Sequence, residues 1–388
     1  MRKESYGRLF LRFLRFGLLA WGGPVAQIAM IRQELVEEEK WLPSERFNRV
    51  LAVYQALPGP EAHELCVYFG MLKGGRLGGL LAGLGFMLPG FGLMLALSWG
   101  YARFGLAFPL FATLFTGCQA AVAALICRAA GRIGQHALTD PLLWGIAIFS
   151  GIAQLLNLHF LLILVSAGAI YLFLRQFRLL ELLLIGAALL LVMVLYSQHL
   201  LVSRLAAAAS PSINPSSKLL FVSGLRAGLL TFGGAYTAVP FLQHDAVEIG
   251  QWMTNRQFLD GLALSGILPV PFIIFSTFVG YLGGGFLGAL LVTTGIFLPA
   301  FGFTLIGYEA VERLVAHQKL HAFLDGITAG VVGLIAVTAL RFLRTAVTDL
   351  PTLSIFGLAL LVLYRWKAKS AVAVVMVGAG ALGFFLFR

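Results

Sequence analysis

The chain says the same thing twice. Trp21-Gly22-Gly23 returns as Phe232-Gly233-Gly234, Trp41 as Trp252, and Pro58-Gly59-Pro60 as Pro269-Val270-Pro271, each 211 positions later. After a one-residue slip the match continues with Gly70 and Gly280, Gly74 and Gly284, Gly78 and Gly288, Pro89 and Pro299, and Gly92 and Gly302. In both copies the helix breakers fall inside strongly apolar stretches. A chain of this kind must build one interrupted helical unit twice, the pattern of secondary-transport folds.

The apolar stretches decide the solvent. The chain has 388 residues, is 59% hydrophobic and only 12% charged, whereas soluble domains carry about 25% charged residues. Apolar segments lie at 9–31, 46–72, 77–102, 107–130, 142–157, 159–174, 179–200, 219–243, 257–282, 286–308, 321–343, 352–364 and 370–387. Most reach the roughly 20 residues that a bilayer crossing needs. The expectation is an all-α polytopic membrane protein of about 13 spans, placed in the cell inner membrane. Six spans form each repeat, and 179–200 has no partner. The boundaries are 1–178 for the first repeat, 179–217 for a linking span and loop, and 218–388 for the second.

An odd linking span puts the second repeat in upside down. With the N-terminus inside, the inner loops hold the larger share of Lys and Arg, as the positive-inside rule asks. Matched loops exchange their charge: Lys73 and Arg76 face an uncharged Gly283–Gly285, and the 157–159 turn faces Arg365, Lys367 and Lys369. Arg341 and Arg344 run against this bias. The net charge of +11 thus belongs to membrane loops, not to a nucleic-acid surface. Cys66, Cys118 and Cys127 lie in apolar runs and read as buried thiols. The basic N-terminus leads into a first span, not a removable signal peptide.

Function should sit at the breaks. Pro58, Gly59 and Pro60 cannot continue a helix in mid-span, and irregular backbone at that depth must line a cavity or pack on protein. A proline at the start of a half-helix leaves free N–H groups pointing inward, and such an end attracts anions. A plain kink explains one such span. Recurrence at Pro269 and Pro271, with further breaks at Gly22-Gly23-Pro24 and Gly233-Gly234, favours four helix ends around one binding site. Arg15 and Arg226 each precede a glycine break by seven residues, and a guanidinium offers a planar fork to an oxyanion. Glu61, His63 and Glu64 follow the first double-proline break. Intramembrane acids are functional candidates by default, and these are placed to carry a coupling proton or, more plainly, to cap the half-helix. Their counterparts Phe272, Ile274 and Phe275 are apolar. Asp260 is a weaker candidate near the inner surface. The stepped glycines read as turn and packing residues, Trp41 and Trp252 as interface anchors, and Glu34–Lys40 as a solvated amphipathic loop. No ATP-binding loop, HExxH pair or metal-ligand spacing is present, so no cofactor is expected.

WGGPxAQIAM, EKWL, QALPGPEA and GGLLAGLGFMLPG in the first copy, with LLTFGGAY, QWMTNRQFLDGLAL and FVGYLGGGFLGALL in the second, resemble the chromate ion transporter family over essentially the whole chain. The resemblance implies export of chromate, a tetrahedral dianion, driven by the proton motive force. It sets Gly22, Gly23, Pro24, Pro58, Gly59 and Pro60 at signature positions. Gln27, beside the first motif, stands where the family often has His, and Ser265 to Pro271 stand where it commonly has an acidic residue and TTPGP. The leading expectation is a proton-coupled carrier, not an enzyme, with the small oxyanion, protons and the bilayer as partners and a homodimer left open. Two alternatives remain: uptake or exchange of sulfate or another oxyanion by the same fold, and an intramembrane enzyme acting on a phosphorylated lipid with Glu61 or His63 as base.

Overall fold

The computed structural model describes residues 4–20, 23–104, 109–156, 158–176, 215–315, 318–366, 368 and 370–387. The unpartnered span at 179–200 and Gly22 lie outside the described residues. The described residues are mainly helical, with no strand among them. The first half contains α1 (Tyr6–Leu18), α2 (Gly23–Ile31), α3 (Ser44–Ala56), α4 (Glu61–Phe104), α5 (Pro109–Ala137), α6 (Pro141–Leu155) and α7 (Phe160–Gln176). The second contains α8 (Ser217–Leu229), α9 (Ala238–Gln243), α10 (Asn255–Ile267), α11 (Phe275–Val315), α12 (Gln318–Ala346), α13 (Leu350–Arg365) and α14 (Ala371–Leu386). Four stretches, Glu61–Phe104, Ala112–Ala137, Phe272–Gly307 and Leu320–Ala346, are long and apolar enough to cross a bilayer. The chain is a multi-pass membrane protein.

The duplication reaches the backbone. Ser5 caps α1 by accepting from the Arg8 N–H, and Ser216 caps α8 by accepting from the Leu219 N–H. Single turns of π-helix follow at Arg32–Glu38 and His244–Ile249. Lys40 and Gln251 take left-handed φ values of 52° and 50°, and Gly75 and Gly285 take 62° and 59°. Those last two glycines turn α4 and α11 back on themselves. Around the first turn, Gly70 faces Gly78 and Ala82 with no room for a Cβ, and Gly280 faces Gly288 in the same way. Small residues let the two limbs touch backbone to backbone.

Each expected break is present. α1 stops at Leu18 before α2 starts at Gly23, and α3 stops at Ala56 before α4 starts at Glu61. In the second half, α8 ends at Leu229 and α10 at Ile267, and short 3₁₀ turns at Ala235–Thr237 and Phe272–Ile274 lead into α9 and α11. Prolines at 58, 60, 269 and 271 withhold the N–H groups that would carry the helices through.

The halves interlock. Gly79 lies against Leu305 and Gly83 against Phe301, so the far limbs of α4 and α11 run antiparallel. α5 packs on α13 and α14, while its counterpart α12 packs on α6 and α7. The largest apolar core draws on both halves; a second core gathers α1 to α4.

Two expectations need correction. Trp41 and Trp252 are buried at 5% and 9% exposure, not interface anchors. Trp41 sits under Arg12 and Lys73, and Trp252 donates to the Val279 carbonyl at 3.1 Å. The stretch Glu34–Lys40 is largely helical instead of a loose loop, because Glu34 and Glu39 pair with Arg12 on α1. Burial alone would raise the Glu39 carboxyl; hydrogen bonds from Arg12 and Trp41 outweigh it and hold the group below its ordinary value.

A Cβ at Gly17 would meet the Phe86 carbonyl oxygen at 2.3 Å, and one at the equivalent Gly228 the Ile296 carbonyl oxygen at 2.4 Å. Gly92 and Gly302 face open space. Gly17→Ala and Gly228→Ala should therefore each lower stability by about 1–3 kcal/mol through overpacking. Gly92→Ala and Gly302→Ala should be neutral or stabilising, since alanine is the better helix former. Thermal unfolding in detergent separates the two pairs.

Candidate functional site

The breaks meet. The Gly59 N–H, freed by the end of α3, donates to the Thr231 carbonyl beyond the end of α8 at 2.8 Å. Gly23, at the start of α2, lies near the Tyr236 hydroxyl, and Gly234 lies near the Pro24 ring. A small cavity of about 10 Å³ is lined by Pro24 and Gln27, by Pro60, Glu61 and His63, by Ala235, and by Pro271 and Phe272. All four breaks contribute to its wall. Side chains tie the loose carbonyls: Gln27 donates to Ala20 at 3.0 Å, Thr237 to Gly234 at 2.7 Å, and Ser265 to Phe272 at 2.8 Å.

The acidic trio enters this region unevenly. Glu61 borders the small cavity. Glu64 is fully buried, its carboxyl packed over Gly59, and neither of its oxygens has a hydrogen-bond partner among the described residues. His63 packs between Phe297 and Phe301 of the other half, with ring centroids 4.8 and 4.7 Å away. Pro58, Pro269 and Gly233 shape the breaks without lining either cavity described here. Gly233 sits instead against Ile133 and Thr328.

Arg15 and Arg226 stand apart from both cavities. Arg15 pairs with Glu34, and Arg226 pairs with Asp245 at 2.7 Å. Both partners are also 211 positions apart, so the recurring arginine is one half of a recurring ion pair. Asp260 is corrected from the inner surface to the core. It is fully buried and accepts from Tyr101 and Gln119, each at 2.7 Å.

A much larger cavity, about 590 Å³, adjoins the first break. One wall is Gly23, Pro24 and Ala26 of α2. Arg128, Arg132 and His136 of α5 also line the cavity, together with Tyr236 and Tyr364. Arg128 and Arg132 end the apolar run 107–130, so by hydropathy alone they count among the inner-loop charges. Their spacing of four along α5 puts both on one face, and that register is the signal that finds them.

Counterparts in the second half are differently placed. In register with the shared glycines at 117 and 326, Arg132 corresponds to Arg341 and Arg128 to Val337. Arg341 is ion-paired with Glu248, which also bonds to His244 at 2.7 Å. This pairing neutralises the residue that had fitted the loop-charge bias badly. Burial alone would raise the Glu248 carboxyl; His244 and Arg341 outweigh it and hold the group below its ordinary value. Among the described residues, no three His, Cys, Asp or Glu side chains gather as metal ligands.

Comparison with known proteins agrees with this architecture. The family model described as Chromate transporter matches residues 7–191 and 218–384. The chain is 53% identical over 388 residues to a chromate transport protein of Pseudomonas aeruginosa, covering 99% of this chain and 93% of that protein. It is 29% identical over 388 residues to a chromate transport protein of Cupriavidus metallidurans, covering 97% and 92%. It is 29% identical over 391 residues to a probable chromate transport protein of Synechococcus elongatus, covering 98% and 95%. No solved structure matches the chain.

Gly59 has a φ of 152°, and a Cβ there would meet a Glu64 carboxylate oxygen at 2.8 Å. Gly59→Ala should cost about 1–3 kcal/mol in backbone strain and displace Glu64. The expected outcome is a lower unfolding temperature that Glu64→Ala in the same chain partly restores. An unchanged unfolding temperature in the single variant would mean that the break relaxes freely.

Proposed function

The chain belongs to the chromate transporter family, and on that premise we propose that it exports chromate from the cell across the inner membrane, driven by the proton motive force. The observation that carries this reading is the meeting of four helix breaks, two from each half, around one spot bordered by Glu61. A tetrahedral dianion needs positive dipole ends and N–H donors in a place shielded from lipid. Half-helix ends from both repeats offer them.

In this reading the repeats, 1–178 and 218–388, cross the membrane in opposite senses. The antiparallel limbs of α4 and α11 support it, as do the exchanged partners of α5 and α12. Alternating access follows from rocking one repeat against the other. The unequal surroundings of the equivalent Arg132 and Arg341 support that motion. On one side Arg132 faces open volume; on the other its counterpart Arg341 is held by Glu248. One face is open and the equivalent face is latched.

Glu61 and Glu64 supply the coupling proton. A carboxyl away from water favours its neutral form, a neighbouring anion reinforces that preference, and hydration on an opening face reverses it. The acids lie in one repeat only, which gives one coupling site per carrier instead of two.

Flux of chromate into inside-out vesicles under an imposed pH gradient tests the reading. Wild-type protein should accumulate chromate when the vesicle interior is acidic, and labelled sulfate should accumulate far less if chromate is the cargo. Sulfate uptake of equal size would move the cargo to the wider oxyanion class. Glu61→Gln or Glu64→Gln should flatten the pH profile while sparing anion binding; a wild-type profile in both variants would remove the coupling role.

The latch has its own pH signature. The depressed Glu248 carboxyl contributes stability that is fully present above its ordinary value of 4.5 and is lost as pH falls through the lowered value. Wild-type unfolding temperature should therefore show an acid-side decline below pH 4.5 that Glu248→Gln lacks, the variant starting lower at neutral pH.

A further inference from the structure

We propose that Arg128 and Arg132 form the oxyanion-holding site of this carrier, in the cavity of about 590 Å³ between α2 and α5. The inference rests on the transport reading above and names the residues that meet the cargo; it moves that role away from Arg15 and Arg226.

Three observations carry it. The first is charge without a partner. Arg128 and Arg132 have no ion pair or hydrogen-bonded acid among the described residues, whereas Arg15, Arg226 and Arg341 each have one. Like charges four apart on a helix repel and weaken it. A pair retained without a neutralising acid is poised for a mobile anion.

The second is position. Arg128 and Arg132 line the same cavity as the start of α2, where Gly23 has a φ of 78° and the chain re-enters a helix. The Tyr236 hydroxyl, contributed by the other half, lies close to Gly23, and the Tyr364 hydroxyl lies against Gly131 on α5. Arg128 is within electrostatic reach of both tyrosines and of Arg132. An anion here meets two guanidinium forks, two hydroxyl donors and a half-helix end together. The small cavity at Glu61 shares the Pro24 wall, so cargo and proton acceptor are neighbours.

The third is the contrast with the second half. Val337 replaces Arg128 there, and Glu248 occupies Arg341. Unneutralised positive charge is thus gathered in one of two equivalent places. The cavity is far larger than a bare tetrahedral anion, so the cargo keeps part of its water. Recognition then depends on double negative charge and paired oxygens, and sulfate should bind here with comparable affinity; discrimination against it falls to the later, tighter passage at the breaks.

Calorimetric titration of chromate and of sulfate into the full-length protein in lipid nanodiscs, at fixed ionic strength, tests this. Arg128→Gln and Arg132→Gln should each weaken chromate binding by about tenfold or more, the scale of a lost charge-assisted hydrogen bond. Arg49→Gln, on the exposed face of α3, should bind as wild type. Because repulsion is relieved, the ligand-free unfolding temperature of Arg132→Gln should be equal or higher, while its rise on adding chromate shrinks. A merely structural arginine would give the reverse. If a Gln variant fails to fold, Arg128→Lys and Arg132→Lys keep the charge and lose the fork, and should bind with intermediate affinity.

Unchanged chromate affinity in both Gln variants, or in both Lys variants where Gln is not tolerated, overturns the site and leaves the transport reading standing. Sulfate binding that depends on both arginines, in a wild-type protein that neither binds nor moves chromate, upholds the site and overturns the cargo. A wild-type protein that binds neither anion overturns both.

Discussion

Inside a bilayer, a backbone amide that loses its helical partner must find another, because no water is at hand and each orphaned group costs several kcal/mol. This chain breaks four of its helices with glycine and proline and so creates that need four times. The answer is mutual. The Gly59 N–H of one break donates to the Thr231 carbonyl of another, and Gln27, Thr237 and Ser265 bind carbonyls beside the remaining ends. Breaks that satisfy one another must be neighbours, so the polar heart of the molecule follows from the backbone ledger of its spans.

Duplication alone would give two equal sites, and the interest lies where the copies differ. The Arg15–Glu34 and Arg226–Asp245 pairs are the same device used twice. The acids at 61 and 64, the arginine at 128 and the latch between Arg341 and Glu248 occur once each. We read the shared parts as the frame on which the halves move and the unshared parts as the cargo and coupling chemistry. That division also matches the open cavity at Arg132 and the ion-paired Arg341 at the equivalent place.

Much of the frame was legible in the sequence. Proline and glycine act through local geometry, so Pro58 to Pro60 and Gly74 to Gly78 announced breaks and turns that the structure contains. Residues whose role depends on a distant partner were misread. Trp41 and Trp252 look like interface anchors until Lys73 and the Val279 carbonyl are seen beside them. Asp260 looks peripheral until Tyr101 and Gln119 arrive from other helices. Arg15 and Arg226 drew attention because recurrence signals a common role, but a common role across both halves is more naturally structural. Arg128 and Arg132 passed as loop charges because hydropathy marks where an apolar run ends and not which face of the helix a residue takes.

The central claim is that two copies of one broken-helix unit lie antiparallel, so that their breaks converge from opposite sides. Arg76 and Phe286 are exposed and follow the equivalent turns of α4 and α11. Single cysteines at these two positions, in a chain whose Cys66, Cys118 and Cys127 are replaced, can be labelled with a membrane-impermeant thiol reagent in intact cells and in inside-out vesicles. The expected result is labelling of one position only from outside and of the other only from inside. Labelling of both from the same side would contradict the account.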